Sequence, residues 1–420
     1  MRIVFATLGS LGDLFPMLAL ARAMQARGHD PLIAAPAAYG PRIADLGLPF
    51  HALRPDFSVE VLAQIFGDPL HGGKRLLADL VFPHARDTYT DLLEAARGAD
   101  ALVAGELVYV APLVAQTLGI AWANVMLSPS TLMSALDPCV LTRFPAAYHL
   151  RHLGPWPQRL LFRLMRRATN AWGAPLRDLQ HELGTSGGDI IFAGKFSPHL
   201  VLSLFPPAFG AVQADWPKAS VQTGFAFFPQ AIDPATAARI QAFVTAGPPP
   251  VVFTLGTTVV HLAQDFYQTA ADAALALGRR AILLLGKNPP PRAPTDQILS
   301  LDYAPHASVF AQAAAVVQHG GVGGCAEALR AGVPALTIPV GFDQPDNAAR
   351  LRRMGVSAIL SHRDVSPATL KHALGRVLDD SAMAARAKAF AAAMDPERDM
   401  SHSLDAIEAL VRSPPSKRAA

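Results

Sequence analysis

The chain has little of several things, and each shortage excludes something. There are two cysteines in 420 residues, Cys139 and Cys325, far apart. A disulfide framework is therefore not expected, and a reducing compartment, the cytoplasm, fits. Charged residues make up 16% of the chain and the net charge is +3. That balance is too even to argue for a nucleic-acid partner. No long apolar run is uninterrupted. The longest apolar zone, Ala101 to Leu127, is broken by Glu106, Pro112, Gln116, Gly119 and Asn124. It resolves into strand, helix and strand rather than a membrane span. The opening "MRIVFATLGSLGD" reads as a first strand and loop, not a secretory leader. No cluster of His, Cys or Asp has metal-ligand spacing, and the two halves share no sequence repeat.

What is present is an alternation. Apolar residues are 51% of the chain, enough for large cores. "RIVFAT" is a short β-rich run with no polar face, as expected of a strand covered on both sides. "LGSLGDLF" reads as a loop. Pro16 sits where a first helical turn tolerates it, and Met17 to Arg27 carries a helical stripe stopped by Gly28. "PLIAAP" is the next strand. The second half restarts the pattern with "PVVFTL", "AILLLG", "AAAVVQ" and "LTIPV". Strands alternating with helices predict parallel α/β sheets covered on both faces. Between them, from Ser128 to Ser197, the alternation is poor, and Trp216 to Asp233 is punctuated by Pro and Gly. The expected organisation is an N-terminal domain over 1–215, a linker over 216–233 and a second domain over 234–395. The last residues, "SPPSKRAA", read as a frayed tail.

The densest chemistry lies in "QHGGVGGCAEALRAGVPALTIPVGFDQPDNAAR", Gln318 to Arg350. A strand ends at His319, and glycines follow at the start of a helix. Bare backbone there admits close approach of a ligand, and free N–H groups with the helix dipole favour an anion, typically phosphate. "GFDQPDN" follows the carboxyl end of the next strand, where open α/β sheets bind ligands. Asp343 and Gln344 therefore point toward the same crevice, and their acid-amide pair suits sugar hydroxyls. The plainer readings are a glycine turn made for packing and an Asp343 that caps the following helix.

The pattern HGG-x-G…EAL-x-AG-x-P…P-x-x-x-DQ-x-x-NA resembles the donor-binding signature of the family 1 GT-B glycosyltransferases, the nucleotide-sugar-dependent enzymes of natural-product, sterol and rhamnolipid glycosylation. "TLGSLGDLFPMLALARAMQARGHD" and "DWPKASVQTGFAFF" resemble other stretches of the same bacterial branch. The resemblance implies two Rossmann-like parallel-sheet domains facing across a cleft. A C-terminal helix over 396–420 would pack back toward the first domain. His319 would contact the donor diphosphate, with Gly320, Gly321, Gly323 and Gly324 offering backbone. Glu327 would hold the ribose hydroxyls, Tyr303 would stack on the base, and His306 would stand near it. Thr257 and Thr258 would lie by the phosphates, and Asp343 and Gln344 would hold the sugar. Relatives usually carry Thr or Ser where Gly324 stands. No cofactor beyond the co-substrate nucleotide sugar is implied, and no metal.

Glycosyl transfer with inversion needs a base to take the acceptor proton. The resemblance places Asp13 in that role, with Ser10 and Gly12 shaping its loop and Glu106 on the acceptor side. The alternative for Asp13 is a helix cap. The acceptor is expected to be a hydrophobic or lipid-like small molecule. Residues 151–172 mix arginines with Trp and Leu, and suit peripheral contact with the inner face of a membrane or a plain solvated surface helix. Nothing demands more than a monomer or weak dimer. Two other functions compete: a catalytically inactive sugar-nucleotide-binding helper, and a dinucleotide-dependent oxidoreductase. The latter lacks its G-x-G-x-x-G spacing.

Overall fold

The structure is a computed structural model that describes residues 1–185, 189–293 and 295–412; the expected frayed tail lies outside the described residues. Seven parallel strands form the first sheet: β1 Arg2–Ala6, β2 Asp30–Ala35, β3 Phe50–Ala52, β4 Ala101–Gly105, β5 Ala121–Met126, β6 Leu200–Ser203 and β7 Ser220–Gln222. Their order is β3-β2-β1-β4-β5-β6-β7. Six strands form the second: β8 Val251–Thr254, β9 Ala281–Leu284, β10 Ile298–Leu301, β11 Ala315–Gln318, β12 Ala335–Thr337 and β13 Ser357–Ile359. Their order is β10-β9-β8-β11-β12-β13, also all parallel.

The missing polar face of "RIVFAT" is explained by its two covers. Ile3 and Phe5 pack with Leu14, Leu18 and the C-terminal helix residues Leu404, Ile407 and Leu410. Val4 and Ala6 pack on the opposite side with Leu92, Leu102 and Leu113. That C-terminal helix, Pro396–Arg412, is further tied to the first sheet's helix by Arg27–Asp405 at 2.6 Å and His29–Glu408 at 3.1 Å. The chain is thus continuous across both sheets and returns to the first.

Each sheet reverses direction of winding at one place: between β1 and β4, and between β8 and β11. Such switch points open crevices at the strands' carboxyl ends. Asp13 and Glu106 follow β1 and β4, while Thr257 and His319 follow β8 and β11. The fold therefore gathers most of the residues singled out in the sequence.

One expectation needs correction. The helix after β1 begins at Leu11, not near Met17. Ser10 is its N-cap and Asp13 its third residue, and together they make a capping box. Pro16 consequently sits in the second turn, where it forfeits a backbone bond.

Candidate active site

On the first sheet's side, Gly9 adopts φ +119°, and a side chain there would begin 2.5 Å from Asp13 Oδ2. Glycine is required on both counts. Asp13 Oδ2 accepts from the Ser10 N–H at 2.8 Å and the Ser10 hydroxyl at 3.0 Å. The Ser10 hydroxyl in turn accepts from Gly12 N at 3.1 Å. Ser10 and Gly12 therefore fix the carboxylate. Burial pushes Asp13 up to about 6, against those two bonds, and the charge of Glu106 adds to the rise. Tyr39 donates to the Gly9 carbonyl at 2.9 Å, and burial beside Asp13 raises its phenol to about 12. Glu106 lies 3.5 Å from the Lys195 ammonium.

On the second sheet's side, Gly320 turns the chain at φ +92°, and Gly321 is the extended N-cap of helix Val322–Ala331. The helix therefore begins three residues before Cys325. Gly323 and Gly324 lie in its first turn, whose N–H groups lack intrahelical partners. His319 stands against the loop: side chains at Gly256 or Gly321 would run into its ring. Burial drives His319 down to about 3, helped by His306, which burial holds at about 4. Both imidazoles are neutral at ordinary pH. His319 Nδ1 is buried with no hydrogen-bond partner. His306 stacks on Phe310 with centroids 4.6 Å apart and meets Thr254 Oγ1 at 3.3 Å.

The two halves meet at Asp343. Its Oδ2 accepts from Asn347 Nδ2 at 2.7 Å. Burial raises it to about 7, with Asn347 opposing and the charges of Asp13 and Glu106 adding. The charges of both first-half acids thus reach Asp343. Asp343 does not cap its helix through its side chain. Asn347 also donates to the Gly320 carbonyl at 3.0 Å and accepts from Ser128 across the seam at 2.9 Å. One side chain thus ties Asp343, the glycine turn and the loop after β5 together.

Other predicted residues are placed less directly. Gln344 is buried, and its Oε1 accepts from the N–H groups of Val340 and Gly341 at 2.9 and 3.2 Å; its acceptor is committed to the turn. Glu327 pairs with Arg330 at 2.6 Å while burial raises its carboxyl. Tyr303 is 45% exposed and its hydroxyl meets Gln230, so a ring face is available. Thr258 is buried and Thr257 half-buried in the loop after β8.

Two residues of the quoted motif had no assigned role. Asn347 follows Asp343 by one helical turn, a spacing visible in "DQPDN". Gln318 closes β11 with only 1% exposure, and neither amide atom has a hydrogen-bond partner. A Cβ on Gly324 would start 2.6 Å from its Oε1. The carboxamide lies close enough to the Cys325 sulfur to pull its thiol down against burial, but sulfur is a weak acceptor. Only the packed sheet shows this amide stranded beneath the helix start.

Two all-parallel α/β sheets, each with one switch point, define a two-sheet α/β architecture with candidate ligand sites at the strands' carboxyl ends. Residues 3–136 match the model of the glycosyltransferase family 28 N-terminal domain. Residues 286–401 match that of the erythromycin biosynthesis protein CIII-like C-terminal domain. The chain is 31% identical to O-mycaminosyltylonolide 6-deoxyallosyltransferase of Streptomyces fradiae over 97% of each protein. Among solved structures, a calicheamicin glycosyltransferase superposes with TM-score 0.70 at 17% identity, over 98% of each chain. A spinosyn rhamnosyltransferase complexed with thymidine diphosphate gives 0.66 at 19%, over 98% of this chain and all of the other. The chain belongs to the family 1 GT-B glycosyltransferases, in their natural-product branch. It is a glycosyltransferase of the natural-product type.

Proposed function

We propose that the protein moves a hexose, with inversion, from a UDP- or dTDP-sugar to a hydroxyl of a hydrophobic small molecule, without a metal ion. The observation that carries this is the open start of helix Val322–Ala331 after the glycine turn, with Asp343 tied to that turn through Asn347. Asp343 holds the donor sugar. The acceptor oxygen attacks C1 while its proton passes to the Asp13 carboxylate. The bond from C1 to the diphosphate oxygen breaks, and its electron pair leaves with the nucleoside diphosphate. The first-turn N–H groups and His319 receive that charge. His319 is neutral in the free protein, and an adjacent dianion favours its protonated form. The thymidine diphosphate bound by a structural neighbour supports a dTDP or UDP donor.

Thermal shift against a panel of nucleotide sugars, followed by product mass with amphiphilic acceptors, tests this directly. The protein is expected to be stabilised by at least one UDP- or dTDP-sugar. Asp343→Ala should lose the preference for the sugar nucleotide over the free nucleoside diphosphate. No stabilisation by any of these ligands would overturn the reading.

Gln318 belongs to the same site in this reading: its carboxamide donates to the bound nucleotide from below. A stranded buried amide costs about 1–3 kcal/mol. Gln318→Leu should therefore raise the unfolding midpoint of the free protein while weakening nucleoside diphosphate binding about tenfold. Calorimetry on the variant checks both signs. Unchanged affinity would remove Gln318 from the site.

A further inference from the structure

Between Pro138 and Arg177 the chain carries seven arginines and no Asp or Glu. The fold shows how this stretch is presented. Helix Trp156–Thr169 buries Pro157, Gln158 and Phe162. It turns Trp156, Leu160 and Leu164 outward, at 63%, 45% and 57% exposure. Spaced by four, these three form one stripe. Phe144, Leu150 and Leu153 are also exposed. The six make up half of the twelve large apolar side chains exposed among the described residues. Arg159, Arg163 and Arg167 flank the stripe and are exposed. None of the seven arginines forms an ion pair among the described residues.

An apolar stripe bordered by uncompensated cations marks an interaction surface rather than an ordinary solvated helix. We propose that this face docks on the surface of an anionic lipid bilayer. Trp156, Leu160 and Leu164 enter the boundary between headgroups and acyl chains, and the arginines pair with lipid phosphates. The stripe is what selects a bilayer over a nucleic acid, since a polyanion offers nothing to three exposed apolar side chains. No helix among the described residues is long and apolar enough to cross a membrane, so the contact lies on the surface. The same stretch reaches the cleft. Val140 N–H donates to Asp346 at 3.0 Å, Thr142 to the Phe342 carbonyl at 3.1 Å, and Arg353 to the Tyr148 hydroxyl at 2.6 Å. Docking here holds the seam beside Asp343 near the bilayer, where an amphiphilic acceptor concentrates; that last consequence rests on the proposed transfer, whereas the docking does not.

Flotation of the full chain with vesicles tests it. The protein should rise with phosphatidylcholine vesicles containing phosphatidylglycerol, and not with pure phosphatidylcholine. Combined Arg159→Glu, Arg163→Glu and Arg167→Glu substitutions should weaken that binding roughly tenfold or more. Combined Trp156→Ser, Leu160→Ser and Leu164→Ser substitutions should leave binding that high salt abolishes. Circular dichroism checks that both variants stay folded. Absence of flotation at low salt would overturn the proposal, as would equal binding by all three proteins. So would duplex DNA that binds more tightly and displaces the vesicles. None of these results bears on nucleotide-sugar binding, so the two readings fail separately.

Discussion

Asp13→Asn is expected to lower kcat/KM by about 10²–10⁴-fold, the usual contribution of a positioned general base, with donor affinity nearly unchanged. The substitution separates the two roles that Asp13 can play. An amide oxygen still accepts the Ser10 N–H bond that the carboxylate accepts at 2.8 Å, so the capping box largely survives. Only proton acceptance is lost. If Asp13 were solely a cap, the variant would keep its activity and thermal stability alike. The pH dependence gives a second, independent readout. With Asp13 at about 6, kcat/KM should rise through that pH as the carboxylate forms. Stability should move the other way. The folded carboxyl binds its proton more tightly than the ordinary value of 3.8. This group's contribution to stability is therefore fully present below 3.8 and falls as pH rises to about 6. Opposite slopes of rate and unfolding midpoint over one window, both flattened in Asp13→Asn, are the expected pair of curves.

The second large effect is structural. Arg350 is 1% exposed on helix Gln344–Arg353. Its Nε donates to Asp346 at 2.7 Å, and its Nη1 donates to Asp137 at 2.6 Å and to the Phe209 carbonyl at 3.1 Å. Asp137 and Phe209 come from the first half of the chain, so this guanidinium joins the halves. Burial raises Asp346 against the pull of Arg350. Arg350→Met fills much of the volume but leaves the buried Asp346 without its cation and Asp137 with only Arg353, at 3.5 Å. Removing one partner of a buried pair costs about 3–5 kcal/mol. Urea unfolding should show that loss, and a variant that also carries Asp346→Leu should recover part of it. A loss under 1 kcal/mol would mean that solvent replaces the guanidinium freely.

The legible parts of the sequence were those that rest on local rules. Both sheets could be read from short β-rich runs between helical stripes, because a strand covered on both faces has no polar alternation to hide it. Gly332 closes its helix at φ +67°, as its place before Pro334 suggests. The glycine-rich start of helix Val322–Ala331 is legible for the same reason. The helix after β1 was misplaced because Pro16 reads as a first-turn residue, whereas the capping box at Ser10 and Asp13 sets the start. The turn that Gln344 Oε1 closes at Val340 and Gly341 is not legible in the sequence, because it depends on how the segment after β12 folds back.

The sequence by itself determined the class of fold, the glycine turn at Gly320 and the candidate acids, because each depends on residue type and spacing along one element. Tertiary structure alone decided what those groups face. Asp13 and Asp343 are 330 positions apart, and the charge of one reaches the other only in the folded chain. Gln318 is stranded, and Asn347 bridges Ser128 to Asp343, only once the strands are stacked and the seam is closed. The reason is physical: burial and charge act through space, whereas a sequence pattern records only neighbours along the chain.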